Sequence, residues 1–325
     1  MRMFGSFANL VEEAAEALER GDKLPEQLFE AYVQKPLLDH SKYTRKVKVE
    51  GLITNLGSAQ FGSAEKSRNK LEVLKDKDGC PIIPSDPFRG AMRSRLLAIS
   101  REKNIGDAAV CKMPVSSRDV SYVVDCGTCL ACGLMGFMRA VDGKSFGSRV
   151  AVHAGRPLNE PVLYVKAGVV KDAATSTIRG AEIKAMAEKN ADKEDEKGTN
   201  VFYYRERYSP GKVTFPLIVT ISDPAVAEAG LVLKALYMAL AFDGVGKSLW
   251  TTWEDDDAKT AKAWKLTVLP QIGQKEMYTG AALAKLFDRM MYVADLALAR
   301  GLFRPYEIRP LEAVSVDRAE GQVKG

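Results

Sequence analysis

Three cysteines fall within seven residues, Cys126-Gly127-Thr128-Cys129-Leu130-Ala131-Cys132, and a fourth, Cys111, precedes them with fourteen residues between. No other feature restricts the fold as much. Thiolates two residues apart chelate one metal ion from a tight turn, and the fourth thiol must then be brought to the same point. Gly127 and Gly133 relieve the backbone of such a turn. Four thiolates close a tetrahedron, which is the arrangement of a structural zinc rather than a catalytic one. The same spacing also serves iron–sulfur clusters, and free buried thiols would satisfy it too, so three readings stay open at this point. Five cysteines in 325 residues are not the disulfide framework of a small secreted protein. The fifth, Cys80, lies outside the pattern and reads as packing.

With 46% hydrophobic and 27% charged residues the chain has the composition of a soluble globular protein, which excludes disorder and collagen-like structure. No stretch approaches the roughly 20 apolar residues that cross a bilayer. The opening Met1-Arg2-Met3-Phe4-Gly5-Ser6 lacks a long apolar region, so a cytoplasmic protein without membrane contact is expected. Only His40 and His153 exist, which excludes mechanisms built on several imidazoles. The net charge of +5 is unevenly spread: residues 1–40 carry −4 and the remainder +9. Residues 39–70 hold seven bases against three acids, a patch that attracts polyanions or simply solubilises a surface.

Periodicity outlines the elements. Residues 8–20 read as an amphipathic surface or docking helix, with Leu10, Val11, Ala14 and Leu18 on one stripe and Gly21 as its stop. Lys46-Val47-Lys48-Val49-Glu50-Gly51-Leu52-Ile53 alternates as a strand with one basic, wet face. A Gly/Ser-rich loop over 54–69 follows. Asp86-Pro87 starts a helix carrying Phe88, Met92, Leu96 and Ile99 at helical spacing. Strands are expected at 148–153, 162–170 and 213–222, with a lysine-rich excursion over 171–200 reading as a long hairpin or lid. A buried helix runs from Asp223 to about Phe242 and another from about Ala281 to Arg300; the tail after Arg304 shows no pattern. Strands interleaved with helices predict an α+β sheet covered mainly on one face.

Two further constellations bear on chemistry. Ala241-Phe242-Asp243-Gly244-Val245-Gly246-Lys247-Ser248 ends like a phosphate loop, but that motif needs a strand before it and a helix after it. Here a helix precedes and the run Leu249 to Trp253 follows as strand or loop, so a glycine loop touching a nucleic-acid backbone is the better expectation. In Ser85-Asp86-Pro87-Phe88-Arg89-Gly90-Ala91-Met92-Arg93-Ser94-Arg95, the first two arginines share a helix face near N-terminal amides, which suits phosphate or a plain basic surface.

These residues resemble a family. Ile83-Pro84-Ser85-Asp86-Pro87-Phe88-Arg89-Gly90-Ala91-Met92-Arg93 resembles the I-P-G-S-S-x-[RK]-G-x-x-R signature of the RAMP superfamily of CRISPR-associated proteins, with Ser85 in place of its glycine and Asp86 where a second small residue is usual. Val49 to Ile53 is similar to the first strand, Cys129 to Gly136 to the C-x-x-C-x-[LI]-F-G element, Ser148 to Val152 to the next strand, and Gly244-Val245-Gly246 to the glycine loop. The resemblance implies a ferredoxin-like, RRM-related palm over residues 46–270, with a zinc-bearing finger insertion at about 100–147 and a thumb-like insertion at about 171–200. An N-terminal helical extension over 1–45 and a C-terminal helix and tail over 271–325 would flank it.

It also implies a function: a backbone subunit that binds guide RNA (crRNA), assembles head to tail along it with copies of itself and other effector subunits, and meets complementary target nucleic acid. Lys46, Lys48, Lys66, Arg68, Arg89, Arg93 and Arg95 are the expected backbone contacts, with Gly244, Gly246 and Lys247 on the same path. Cys111, Cys126, Cys129 and Cys132 would hold structural zinc. Asn69 falls near the place where type III backbone subunits carry the aspartate that cuts target RNA, so no nuclease activity is expected. The cysteine pattern, length and acidic extension most resemble the type IV backbone subunit, with type I-D second. The alternatives are a type III-like subunit that cleaves its target and, from another class, a zinc-containing hydrolase or ATPase.

Overall fold

The computed structural model describes residues 6–39, 44–62, 70–111, 125–138, 145–169, 202–255, 263–271 and 274–308. The described helices are α1 (Phe7–Arg20), α2 (Glu26–Tyr32), α3 (Asp86–Glu102), α4 (Leu130–Met135), α5 (Val226–Met238) and α6 (Gly280–Ala299). Among the strands, β1 (Leu37–Leu38), β2 (Arg45–Thr54), β3 (Lys70–Leu71), β4 (Phe137–Met138), β5 (Ser145–Phe146) and β6 (Val150–Ala154) come first. They are followed by β7 (Leu163–Val169), β8 (Phe202–Tyr208), β9 (Thr214–Ser222), β10 (Lys265–Pro270), β11 (Glu276–Thr279) and β12 (Glu307–Ile308). No described helix is long and apolar enough to cross a membrane.

The central sheet runs β11-β10-β2-β9-β6, and every neighbouring pair in it is antiparallel. Taken in chain order, β2, α3, β6, β9, α5 and β10 make a β-α-β-β-α-β unit. Its strands stand fourth, first, third, second across the sheet, which is the ferredoxin-like arrangement. The α+β, ferredoxin-like palm is therefore present, extended by β11 at one edge. Alternation explains the sheet: Val47, Val49 and Ile53 of β2 and Phe215, Leu217, Val219 and Ile221 of β9 are buried on one face. Lys46, Lys48 and Glu50 project from the other. Buried side chains of α3, α5 and α6 join the first set in one core.

The N-terminal helix is not a free docking arm. Phe7, Leu10, Val11, Ala14, Ala15 and Leu18 of α1 are buried in that same core, and two glutamates on its other side, Glu12 and Glu19, face basic groups of the C-terminal region. Arg289 of α6 bonds Glu12 and Glu19 at 2.9 Å each, Arg300 donates to the Glu19 carbonyl at 3.1 Å, and Arg304 reaches Glu26 at 3.2 Å. The acidic extension thus answers part of the positive excess elsewhere in the chain. Cys80, read as a packing residue, is exposed beyond the turn at Gly79. The excursion over 171–200 lies outside the described residues, but β7 and β8 on either side of it pair antiparallel from Leu163↔Tyr208 to Val169↔Phe202.

Where the ends of β2, β6 and β9 meet, charged groups are buried. Asp223, 3% exposed, accepts from Thr44 Oγ1 at 2.7 Å and pairs with Lys35. Burial opposes its ionisation, yet Lys35, Thr44 and Arg45 together leave the carboxyl below the usual carboxylate range. A carboxyl depressed in the fold contributes stability above its unfolded pKa and loses it as pH falls through the folded value. Asp223→Asn should therefore flatten the acid limb of stability from about pH 4 downward, measured by denaturant unfolding at stepped pH. Identical acid limbs in both proteins would show that Asp223 does not shape it.

Candidate metal centre and nucleic-acid interface

The four cysteines meet. Cys129 is the N-cap of α4 and Cys132 lies one turn inside it, while Cys126 sits just before the turn, where the Cys129 N–H donates to its Sγ at 3.4 Å. Cys111 arrives from the loop after α3, its carbonyl held by Arg101. All four ligand atoms lie within 4.8 Å of one another and every one of these residues is buried. The sulfurs of Cys111 and Cys132 are 3.7 Å apart and those of Cys126 and Cys132 3.8 Å. A tetrahedral ion with metal–sulfur bonds of about 2.3 Å has edges of roughly 3.8 Å, so the donor set fits one zinc ion. A disulfide, at about 2.05 Å, is not formed. A cluster would hang its thiolates from separate iron atoms and spread them wider than this. Crowding also pulls the thiols apart in acidity. Hydrogen bonds from its three neighbours lower Cys126; those with Cys111 and Cys126 raise Cys129, and those with all three neighbours raise Cys132.

Arg89 and Arg93 do share one face of α3, and that face meets the cysteine turn. Arg89 donates to the Met135 carbonyl; Arg93 donates to the carbonyls of Gly136 at 2.7 Å and Ala131 at 3.3 Å. Arg93 also pairs with Asp125 at 2.5 Å and lies 3.9 Å from the Cys132 sulfur. Burial works against its charge, but Asp125, Cys132 and Cys111 outweigh it and hold its pKa above the ordinary value. Both arginines, expected to contact phosphates, here satisfy carbonyls of α4 and its C-cap, and Arg93 lies against the thiol cluster. Arg95 points elsewhere, into an ion pair with Asp243.

A second site forms at the glycine loop. Val245 and Ser248 exchange backbone hydrogen bonds of 2.8 and 3.3 Å, so Gly246 and Lys247 are the centre of a tight turn with φ of 61° and 64°. A Cβ at Gly246 would stand 2.5 Å from the Phe61 ring, which is why a side chain is excluded there. The turn is bolted to the earlier Gly/Ser-rich loop: Gln60 N–H donates to the Gly246 carbonyl at 2.7 Å, and Ser248 Oγ bonds both N–H and C=O of Gly57 at 3.0 Å. Helix α5 and a π-helical turn over Ala239–Asp243 precede it, and Trp250 pairs with Asn55 in a bridge after it. No helix opens on Gly246, so the amides do not converge as in a phosphate loop.

Two arginines that sequence reasoning missed complete this site. Arg207 of β8 donates to Ser58 Oγ at 3.3 Å, and with Arg205 it presses on Lys247, whose ammonium is held below its ordinary pKa by burial and then by these two charges. The Arg-Glu-Arg alternation in β8 was the available signal, since residues two apart share a strand face. Lys66 and Arg68, like Asn69, lie outside the described residues, between Gly62 and β3, and β3 pairs with β8 at Leu71↔Arg205. Lys46 and Lys48 belong to the sheet face instead, where Glu50 accepts from Lys48 at 2.8 Å and Lys265 at 3.2 Å. Six residues of strand put Lys48 roughly 20 Å from the Thr54 end beside the glycine loop. A cavity of about 450 Å³ at the far end is walled by Lys35, Arg149 and Asp223, whose charges are already paired.

The model of the RAMP superfamily matches residues 15–249. A crystal structure of a Csm3-Csm4 subcomplex in the type III-A CRISPR-Cas interference complex aligns with 77% of this chain and 96% of that chain, at 16% identity and a TM-score of 0.39. No curated protein matches the sequence.

Proposed function

Because this chain belongs to the RAMP superfamily, we propose that it is a guide-RNA-binding backbone subunit of a CRISPR ribonucleoprotein, without nuclease activity of its own. The observation that carries the reading is the cationic glycine loop. Lys247, Arg205 and Arg207 crowd their charges where a neutral surface would separate them, and such crowding is relieved by a polyanion. Contacts of this kind hold phosphates and leave base identity largely unread. The chain would assemble head to tail along crRNA with other copies of itself, in the company of other effector subunits, and present the guide to a complementary strand. The cysteine pattern and the acidic extension favour the type IV subtype over type I-D.

Zinc in the four-cysteine site would have a structural task. It ties the turn before α4 to the loop after α3, and Arg89 and Arg93 hold the carbonyls around it, so the signature helix is fixed against the palm. Where a target-cutting subunit needs a carboxylate beside the phosphate, Asn69 offers only a neutral amide.

The test is binding of short single-stranded RNA over a salt series, with Lys247→Gly and Arg207→Gln. Glycine removes the charge at 247 and accepts the positive φ of the turn. The pair should weaken binding at least about tenfold at low salt and reduce the log–log salt slope by roughly 1.4, two phosphate contacts' worth. An unchanged slope would remove the glycine loop from the interface. End-labelled complementary RNA incubated with the assembled complex and magnesium should stay intact; regularly spaced products would establish the target-cleaving alternative instead.

A further inference from the structure

Helix α5 is buried on nearly every side through Leu236, and Ala239 and Leu240 remain buried after it. The chain then winds as a π-helix over Ala239–Asp243, which adds a residue to the turn and rotates the residues beyond it. Within that turn stands Phe242, an aromatic ring 61% exposed two residues before Gly244. The ring is not loose. Tyr237 meets it edge-on with centroids 5.7 Å apart at 67°, and the next residue, Asp243, is pinned by Arg95.

Two leucines around the glycine loop are exposed as well. Leu249 is 40% and Leu56 52% exposed, joined by the Leu56 N–H to Leu249 carbonyl bond of 2.9 Å, and a Leu249 methyl comes within 3.7 Å of where a Gly244 Cβ would be. Lys247, beside Arg205 and Arg207, follows Phe242 by five residues in the tight turn at Gly246. An apolar surface made to receive another protein's core is depleted of charge at its centre. Here a fixed, exposed ring stands five residues before Lys247, which Arg205 and Arg207 adjoin, and the ligand that pairs a flat apolar face with regularly placed negative charge is a single nucleic-acid strand.

We propose that Phe242, braced by Tyr237, is a stacking platform for an unpaired base of the strand whose phosphates meet Lys247, Arg205 and Arg207. The proposal rests on the RNA-binding reading and extends it from phosphates to a base.

The experiment compares binding of a short mixed-sequence single-stranded RNA with that of an abasic oligomer of the same length, for the unmodified chain and for Phe242→Ala, Phe242→Leu and Phe242→Trp. Stacking on one ring should make the Ala and Leu variants about five- to a hundredfold weaker on normal RNA, leave their abasic binding unchanged, and be restored by Trp. The unfolding midpoint should not move, because the ring is mostly exposed. Equal losses on both oligomers, or full binding by Phe242→Leu, would overturn the platform while leaving RNA binding in place. Loss of self-association without RNA in Phe242→Ala would assign the ring to a protein contact and overturn it too. If the unmodified chain binds neither oligomer, the RNA-binding reading itself falls, and the platform with it.

Discussion

Elemental analysis should find about one zinc per chain, and Cys129→Ser should lose it and lower the unfolding midpoint by on the order of 10 °C. The expectation comes from where Cys129 stands. It caps α4, donates its N–H to the Cys126 sulfur, and supplies one of four sulfurs clustered within 4.8 Å. Without an ion nothing bonds these four sulfurs together, and their crowding becomes a cost in place of a bond network. The loss should travel. The Tyr306 N–H donates to the Thr128 carbonyl at 2.8 Å inside the chelating turn, and the Tyr306 ring lies where a Cβ on Gly133 would be, 2.2 Å from it. From there the C-terminal strand β12 pairs with β1. Hydrogen exchange should therefore rise in 302–308 and in β1 of the variant as well as around α4. Thiolate ligands must be deprotonated, so the ion should also be released as pH falls. Iron with visible absorption in the purified protein would overturn the zinc assignment, and full zinc content in Cys129→Ser would dissolve the four-sulfur site.

The strands with one buried face were readable because alternation has a period of two and needs no partner to be seen: β2 and β9 stand within a residue of their expected bounds. The long helices and the cysteine group were readable for similar reasons, a period of 3.6 in α6 and ligand spacing in the turn. The elements that stayed hidden depend on partners. β10 and β11 are short, end in Pro270 and Thr279, and owe their strand state to pairing with β2 and with each other. Tyr306, fully buried in a tail without pattern, is placed by Gly133 and Glu228, which lie far from it in sequence.

The site divides in the same way. Spacing showed that Arg89 and Arg93 share a helix face, but helical spacing does not say what that face meets; it meets carbonyls of the cysteine turn. Arg205 and Arg207 become a cluster only because β8 crosses the loop that holds Ser58 and the glycine loop docks on that loop. Lys247 was identified by its motif, though the motif's usual geometry is absent and a positive-φ turn stands in its place. The acidic N-terminal helix looked like surface because its glutamates dominate one side, whereas Arg289 supplies the missing half of that side from residues nearly three hundred positions away.

Glu228→Gln should destabilise the protein by about 3–5 kcal/mol, although the substitution changes almost no volume. Glu228 is 0% exposed and lies in the first turn of α5, where its carboxylate accepts from the Ala225 N–H at 2.9 Å. Arg149, 2% exposed, grips both of its oxygens at 2.8 Å and also donates to the Asp223 carbonyl, while Tyr306 donates its hydroxyl to Oε1 at 2.7 Å. Burial, then the Glu228 charge, pushes the Tyr306 phenol well above its ordinary pKa, so it stays a donor throughout the neutral range. A neutral amide would leave the guanidinium charge buried without its partner, and turning the amide NH₂ toward either donor would set two donors against each other. The double replacement Arg149→Met with Glu228→Gln removes the uncompensated charge, and much of the loss should return, because a buried pair gains little over an apolar pair of similar size. Denaturant unfolding reads both effects as midpoint shifts at constant slope. If Glu228→Gln costs under about 1 kcal/mol, the pair does not organise this junction. RNA affinity gives an independent control. Residues 229–238 of α5 separate Glu228 from the π-helical turn, a length of about 16 Å, so the folded variant should bind RNA as tightly as the unmodified chain. A loss of affinity matching the loss of stability would instead mean that the glycine loop is held in place from the far end of α5.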